Sequence, residues 1–597
     1  MASLLAAPVA AERLQVPLFL NAEALETLVR ERLFGDGRLR VEDDGSGCQY
    51  LELRDPEVRA KDGRLLLQAR AEARAGRPIG GRCLLVLDWR GGVELTQRPK
   101  RAPDGDGIVL STESWRTVRA DGSTDEVSTT VGRWLEQFLP ATLTRLHVDL
   151  DEPLSQLRDL LGGMTASAAT GGIELDSLTV DEVAIGAGPA GQAGADGARV
   201  TLGIDVHPVS RTSAAPEPAL AEAELAALEQ RLDAVDAFFT YAIRTLDPAR
   251  VDTRQVFEVL VELRREALTI LREPGGRGED PVRRLFVEAW RGLVPVLRGV
   301  AAGEADHRQA LGYLTFIGAG DALAALDALG PSMGVEISSD GLRRLARLLA
   351  PGATDDPLQR TDAVDAELRR ALGFGEPLPP PRNGGDTSWV DDWLELLVPR
   401  AAASEALDPT LVEKLNNWVP RNKDMDVYLP MAREVLGHAA AAEFADSGLD
   451  GGYRELFRDL VLAAAWQESC WRQFEAKNDM RVPVESASGD LGVMQINATV
   501  WRGLYDLHGL RWDIVYNARA GADILEHYLV TYALRHAEHE TTGSVDSLAR
   551  STYAAYNGGP RQYDRYRRAA TRTDELFYEK YRQVKQEDLA VTACYGG

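Results

Sequence analysis

The chain has 597 residues, 45% of them hydrophobic, and a formal net charge of −25. That length exceeds what one hydrophobic core can serve and calls for three or four units, while the apolar content excludes a disordered chain. The acidic balance, with a pI near 4.9, excludes nucleic acid as a general partner and restricts binding of any anionic polymer to local, short-range contacts.

The opening Met1-Ala-Ser-Leu-Leu-Ala-Ala-Pro-Val-Ala-Ala11 has the small-residue tail of a signal cleavage region, but no basic segment and only a short apolar part, so an export signal is not evident. From about Val16 to His207 the texture is strand-like. Tyr50 to Arg54 and Val200 to Val206 alternate with period two, and Arg64 to Arg70 and Cys83 to Asp88 are short apolar runs between turns. Ala22 to Leu33 and Val131 to Leu139 have helical spacing. Residues 1–207 therefore read as a β-rich α+β domain, with long strands wrapped around an amphipathic helix. Within it, Gly186-Ala-Gly-Pro-Ala-Gly191 satisfies the dinucleotide pattern G-x-G-x-x-G, but a further strand follows where a helix is required, so the run reads as a hairpin connection. No cofactor is expected.

Residues 208–218, rich in Pro, Ser and Ala, form a linker. Residues 219–376 are helical in pattern throughout, with Leu225, Leu228 and Leu232 on one stripe and Val256, Leu260 and Leu263 on another. A Pro/Gly linker at 377–388 precedes a helical segment at 389–452, which leads into a last domain at 453–597. No apolar run reaches the roughly 18 to 20 residues that span a bilayer. The four cysteines fall in two pairs, Cys48 with Cys83 and Cys470 with Cys594, neither with zinc-ligand spacing. They permit two disulfides, which require an oxidising compartment, or four reduced thiols. His536, His539 and Glu540 have a spacing that a metal could use, but they lie at a polar helix end and read as solvated.

The chemistry concentrates in the last domain. Leu456, Leu460 and Ala464 are spaced by four, and Glu468 is the next step on the same stripe, so its carboxylate faces inward. A carboxyl against apolar surroundings has its charged form penalised and keeps its proton near neutral pH. Downstream lie Gly492-Val-Met-Gln-Ile496 and Ala555-Tyr-Asn-Gly-Gly559, a glycine-tight polar loop and a Tyr-Asn turn. The combination points to an acid/base site for breaking a sugar acetal.

Residues 456 to about 567 resemble the catalytic domain of the soluble-type lytic transglycosylases, the lysozyme-like murein-cleaving enzymes of glycoside hydrolase family 23. Glu468 and Ser469 look like the catalytic doublet, and Ser486 with Gly492 to Gln495 is similar to the Ser-plus-Gly-Leu-Met-Gln segment. Asn517, Gly521, Tyr528 and Leu529 match the Asn-x3-Gly-x6-Tyr-Leu helix, and Ala555 to Gly559 matches the Ala-Tyr-Asn-Ala-Gly turn. The resemblance implies a mainly α lysozyme-like fold for 453–597 and cleavage of the MurNAc-GlcNAc bond with 1,6-anhydromuramoyl ends. It implies Glu468 as sole acid/base, Ser486 near the acetamido group, Gln495 and Asn557 on polar groups of the sugar, and Met494 on the subsite floor. Gly492 would let the backbone approach the saccharide, and Tyr556 would orient Glu468. The partner implied is a peptidoglycan glycan strand, in the periplasm or cell envelope. The front domain resembles tubular lipid-binding modules, which implies a lipid or envelope-protein partner.

Two departures from the family pattern keep alternatives open. The segment Cys470 to Glu485 is an enlarged loop, and Asn497-Ala498 stands where the family has a Pro. The loop carries Glu475, Asp479 and Glu485, with Asp490 beyond, so a second carboxylate that activates water would make the enzyme a hydrolase of goose-type lysozyme kind. A non-catalytic wall-binding scaffold is the alternative from another class. Arg561, Arg565, Arg567, Arg568 and Arg572 either meet carboxylates of stem peptides or lactyl groups beside the cleft, or balance nearby acids on a solvated helix face.

Overall fold

The computed structural model describes residues 12–21, 37–43, 48–79, 82–103, 107–118, 146–149, 174–187, 196–207, 222–272, 281–302, 356–359, 361–380, 407–588 and 590–595, with a few isolated positions such as Val29, Phe34, Leu154 and Phe316. The chain divides into two units, one of Met1–Thr245 with Pro274–Leu358, the other of Leu246–Glu273 with Gln359–Gly597. It is thus multidomain, with antiparallel sheets at the front and a mostly helical C-terminal region.

In the first unit the strands are β1 (Glu12–Asn21), β2 (Arg38–Asp43), β3 (Tyr50–Lys61), β4 (Arg64–Ile79), β5 (Arg82–Arg101), β6 (Gly107–Val118), β7 (Leu146–Asp149), β8 (Glu174–Ala187) and β9 (Asp196–His207). β2 to β7 form a six-stranded sheet in sequential order, and β1, β9 and β8 form a second sheet of three. The expected period of two is visible along β4, where Leu65, Leu67, Ala69, Ala71 and Ala73 are all buried. Their partners continue the same apolar face: Leu67 lies opposite Leu95, Ala69 opposite Val93 and Ala71 opposite Leu53. Cys48 and Cys83 form a disulfide with their Cα atoms 5.5 Å apart. The glycine run beginning at Gly186 joins β8 to β9, which pair antiparallel. It stands between two strands and not between a strand and a helix, and its residues from 188 onward lie outside the described residues.

The sequence places amphipathic helices at Ala22 to Leu33 and Val131 to Leu139. The second lies outside the described residues, as does most of the first, together with the linker 208–218, residues 381–406 and the first eleven residues.

Three long helices follow the sheets: α1 (Glu222–Arg244), α2 (Thr253–Arg272) and α3 (Pro281–Ala302). α1 and α3 belong to the first unit and meet through aromatic rings, with Phe286 5.7 Å from Phe238 and 5.5 Å from Phe239. α2 belongs to the second unit. The helical stretch expected at 219–376 is shared between the units: its middle helix is part of the C-terminal unit, and so is the stretch from 359 onward. The physical reason is the width of its apolar surface. Val256, Phe257, Val259, Leu260, Val261 and Leu263 are all buried, more than one contact stripe needs. Phe257 sits 4.5 Å from the ring of His527, 5.7 Å from Tyr528 and 5.9 Å from Phe374. Buried Arg264 donates through Nη1 to the carbonyls of Val500 and Arg502 at 3.0 and 2.8 Å.

The rest of the second unit contains α4 (Ala366–Ala371), α5 (Pro409–Asn416), α6 (Met425–Asp446), α7 (Arg454–Ser469), α8 (Leu507–Trp512), α9 (Ile514–Tyr528), α10 (Glu538–Thr542), α11 (Asp546–Gly558), α12 (Arg565–Arg568) and α13 (Arg572–Lys585). Two short ribbons, β10 (Phe474–Lys477) with β11 (Met480–Pro483) and β12 (Asp490–Leu491) with β13 (Ile496–Asn497), lie between α7 and α8. The expected enlarged loop is thus largely a hairpin. Asn478 and Asp479, both at positive φ, form its two-residue turn, a conformation these short polar side chains tolerate.

Helix α9 runs beneath the second ribbon, and its Gly521 leaves space that Met494 fills. A Cβ at 521 would lie 2.4 Å from Met494 Cγ and 2.6 Å from Met494 Cβ. Gly521→Ala is expected to cost about 1–3 kcal/mol through overpacking. Faster hydrogen exchange across α9 at unchanged secondary-structure content checks this, and unchanged protection refutes it.

Candidate active site

Glu468 lies one residue before the end of α7, where the helix has turned its apolar side into the unit: Leu456, Leu460 and Ala464 on its stripe are all buried. The helix stops because Cys470 and Trp471 take positive φ, and Cys470 is held by a disulfide to Cys594, Cα atoms 6.2 Å apart. Ser469 ties the helix end sideways. Its hydroxyl donates to the carbonyl of Val493 at 2.7 Å, joining the acid-bearing helix to the glycine loop.

That loop is clamped by two buried amides. Gln473 accepts from the N–H of Val493 at 2.9 Å and donates to the carbonyls of Leu510 and Arg511 at 3.0 Å. Asn517 accepts from the N–H of Met494 at 2.9 Å and donates to the carbonyls of Leu491 and Leu510 at 2.9 Å. Both side chains are fully buried, and each uses its fixed donor–acceptor geometry on otherwise orphaned backbone groups. Gly492 stands between them at φ +70°, and a Cβ there would lie 2.3 Å from Asn517 Nδ2. Asn517 and Gln473 thus give this glycine a structural reason beside the expected close approach to a ligand.

A cleft of about 290 Å³ opens at Glu468, lined also by Ser488, Asp490, Gln495, Asn497, Tyr556 and Asn557, and on another side by Arg265, Leu268, Thr269 and Arg272 of α2. Of the residues singled out in the sequence, Glu468, Gln495, Tyr556 and Asn557 meet at this cleft. Met494 does not line it. It is fully buried against Gly521, so the expected subsite floor is a core side chain. Ser486 does not line it either. Its hydroxyl donates to Asp490 Oδ2 and accepts from the N–H groups of Ser488 and Asp490 at 3.1 Å, so it shapes the turn that presents Asp490. Gln495 donates to the carbonyl of Gly492 at 2.8 Å.

The orienting tyrosine is also corrected. Tyr553, not Tyr556, donates to Glu468 Oε1 at 2.7 Å, whereas the hydroxyl of Tyr556 donates to the carbonyl of Met494 at 2.7 Å. The two lie three residues apart on α11, so both rings face the same region. Tyr553 is the deeper one, fully buried and stacked on Phe577 at 3.9 Å with planes 4° apart.

Burial pushes the Glu468 carboxyl up to about 7. The Tyr553 hydrogen bond and Lys580 act in the opposite sense, and Asp490 reinforces the rise. Burial lowers Lys580, and it raises both Tyr553 and Tyr556 well above the ordinary phenol range, so both tyrosines stay protonated donors. Of the other carboxylates in and near the enlarged loop, only Asp490 reaches the cleft. Its Oδ1 accepts from Asn497 at 2.8 Å. Glu475 and Asp479 stay on the β10–β11 hairpin, outside the cleft.

Three of the five arginines singled out after α11 are spent on acids. Arg565 pairs with Asp574 at 2.7 Å, Arg567 with Glu538 at 3.1 Å and Arg568 with Asp564 at 2.7 Å. His536 stacks on Tyr563 at 4.3 Å, and His539 lies 4.0 Å from Glu540. Sequence reasoning missed Tyr553 and every α2 residue of the cleft.

No family model matches the chain, and no solved structure does. A 77-residue stretch is 39% identical to 2,3-dihydro-2,3-dihydroxybenzoate dehydrogenase of Escherichia coli (strain K12), which is 13% of this chain and 29% of that protein. The chain thus spans less than a third of that relative's length, too little to bring its activity here.

Glu468 titrates higher in the folded chain, at about 7, than its ordinary 4.5. The folded state therefore holds the proton more tightly, and stability falls as pH rises from about 4.5 to 7. Glu468→Gln keeps an acceptor for Tyr553 and removes the titration. The variant is expected to gain on the wild type by up to ~3 kcal/mol between pH 4 and pH 8. Denaturant midpoints across that range check it, and a pH-independent difference between the two proteins refutes it.

Proposed function

We propose that the protein is a peptidoglycan lytic transglycosylase, with a lysozyme-like C-terminal catalytic domain that cleaves the MurNAc-GlcNAc β-1,4 bond. The observation that carries this reading is a carboxyl, kept protonated to about pH 7, that lines a polar cleft. Such a group can give its proton to a glycosidic oxygen and, once anionic, take a proton from a sugar hydroxyl. In the lytic reaction that hydroxyl is the muramoyl C6 group. Its oxygen closes on C1 as the C1–O bond to the leaving sugar breaks, giving a 1,6-anhydro ring and consuming no water.

Tyr553 would steady Glu468 in both states, since a phenol donates equally to the carbonyl oxygen of an acid and to a carboxylate. Gln495 and Asn557 would offer polar atoms to the sugar. The two disulfides support an oxidising compartment such as the periplasm or cell envelope. The front unit would place the enzyme there through a lipid or an envelope protein.

Asp490 favours a second reading. It lines the same cleft as Glu468, so a water activated by it would give hydrolysis in the manner of goose-type lysozymes. Both its oxygens are already engaged, by Ser486 and Asn497, which makes it the weaker candidate for a base.

Digestion of purified sacculi separates the readings. Anhydro ends, lighter than reducing ends by one water in mass spectrometry, are expected, while reducing ends overturn the lyase in favour of the hydrolase. Glu468→Gln is expected to lower the rate at least about 100-fold. The wild-type rate should fall about tenfold per pH unit well above pH 7 as the acid ionises. Unchanged turnover in the variant overturns both enzymatic readings.

A further inference from the structure

Helix α2 brings a charge pattern to the cleft that neither reading of Glu468 uses. Arg265, Leu268, Thr269 and Arg272 follow the i, i+3, i+4, i+7 spacing of a single helix stripe, and all four line the cleft. The acids of the cleft, Glu468 and Asp490, come from α7 and β12, so its two charge signs come from different elements. The arginines closer in sequence, at 565, 567 and 568, are all bound to carboxylates.

The two α2 arginines differ in setting. Arg265 is half-buried and donates through Nη2 to the carbonyl of Asn557 at 2.7 Å, which fixes it to the end of α11. Arg272 is exposed at the end of α2 and carries no ion pair among the described residues. A guanidinium fixed by one nitrogen keeps others for an incoming group, and an exposed one is open on all sides. In a chain of net charge −25, a local cationic stripe is what lets an anionic polymer settle, because screening confines the opposing field to roughly 8–10 Å.

We propose that Arg265 and Arg272 form a carboxylate subsite that selects glycans bearing lactyl-linked peptide acids over uncharged glycans, and that Asp490 turns those acids toward α2. This rests on the glycan reading of the cleft and adds the two residues that give it charge selectivity. A carboxylate accepts two parallel N–H bonds from a guanidinium, and its repulsion from Asp490 removes the reversed placement.

The experiment uses the full chain in a Glu468→Gln background, so that ligand is not consumed. Dissociation constants are measured calorimetrically at two salt concentrations for a peptide-bearing murein fragment and for a neutral N-acetylglucosamine oligomer of equal ring number. The murein fragment is expected to bind tighter, by a margin that shrinks with salt. Arg272→Gln should reduce that margin about threefold and Arg272→Glu about tenfold. Arg568→Gln, which removes the same charge from an arginine bound to Asp564, should leave it intact. Equal affinity of the unaltered background for both ligands, or an equal effect of Arg272→Gln and Arg568→Gln, overturns the subsite alone. Binding of neither ligand overturns the glycan reading and the subsite together.

Discussion

The surroundings of one carboxyl group govern this protein's C-terminal unit. An acid at the end of a helix in water would ionise near 4.5. Placed where α7 turns its apolar stripe inward, with Tyr553 above it and Asp490 nearby, Glu468 keeps its proton to about 7. This environment is costly to the fold, because an ionised Glu468 is poorly solvated and its one hydrogen bond only partly offsets the loss. The packing around Glu468 is accordingly tight: a tyrosine stacked on a phenylalanine, a serine laced to the next loop, and a disulfide two residues on.

Rigidity of the opposing loop follows the same logic. A five-residue backbone segment with few regular partners would ordinarily sample several conformations. Gln473 and Asn517 replace the missing partners with planar amides that each hold a donor and an acceptor in fixed relation. Because these amides are fully buried, loss of either would leave backbone N–H and C=O groups without water or protein to receive them. The glycine at 492 and the glycine at 521 are the negative image of this arrangement, empty where an amide and a methionine need room.

Local patterns carried much of this into the sequence. The strands at Tyr50, Arg64, Cys83 and Val200 were legible because period-two alternation is written in adjacent residues, and the stripe from Leu456 to Glu468 because helical spacing is too. The cysteines fell in two pairs, each inside one candidate domain, but the sequence left two disulfides and four reduced thiols equally open. What was not legible depended on depth or distance. Tyr553 and Tyr556 share a helix face, and only packing against Phe577 decides which ring reaches the acid. Ser486 and Met494 sit inside recognisable motifs, yet one is spent on Asp490 and the other on the core. The allegiance of α2 left a faint trace, an apolar surface too broad for one neighbour and a buried arginine among leucines, but nothing local says where such a helix docks.

The bond between Arg264 and Val500 joins positions 236 residues apart, with a stretch assigned to the other unit threaded between them. The helix that completes the cleft is therefore synthesised long before the acid it flanks, and most of its apolar partners arrive only with the last third of the polypeptide. A fragment beginning at residue 453, the boundary that motif content alone would choose, would retain Glu468 and Tyr553 but would leave a hydrophobic trough where Phe257 belongs. Excision would thus yield an aggregation-prone body and not a miniature enzyme, and a self-sufficient piece of this unit has to include α2.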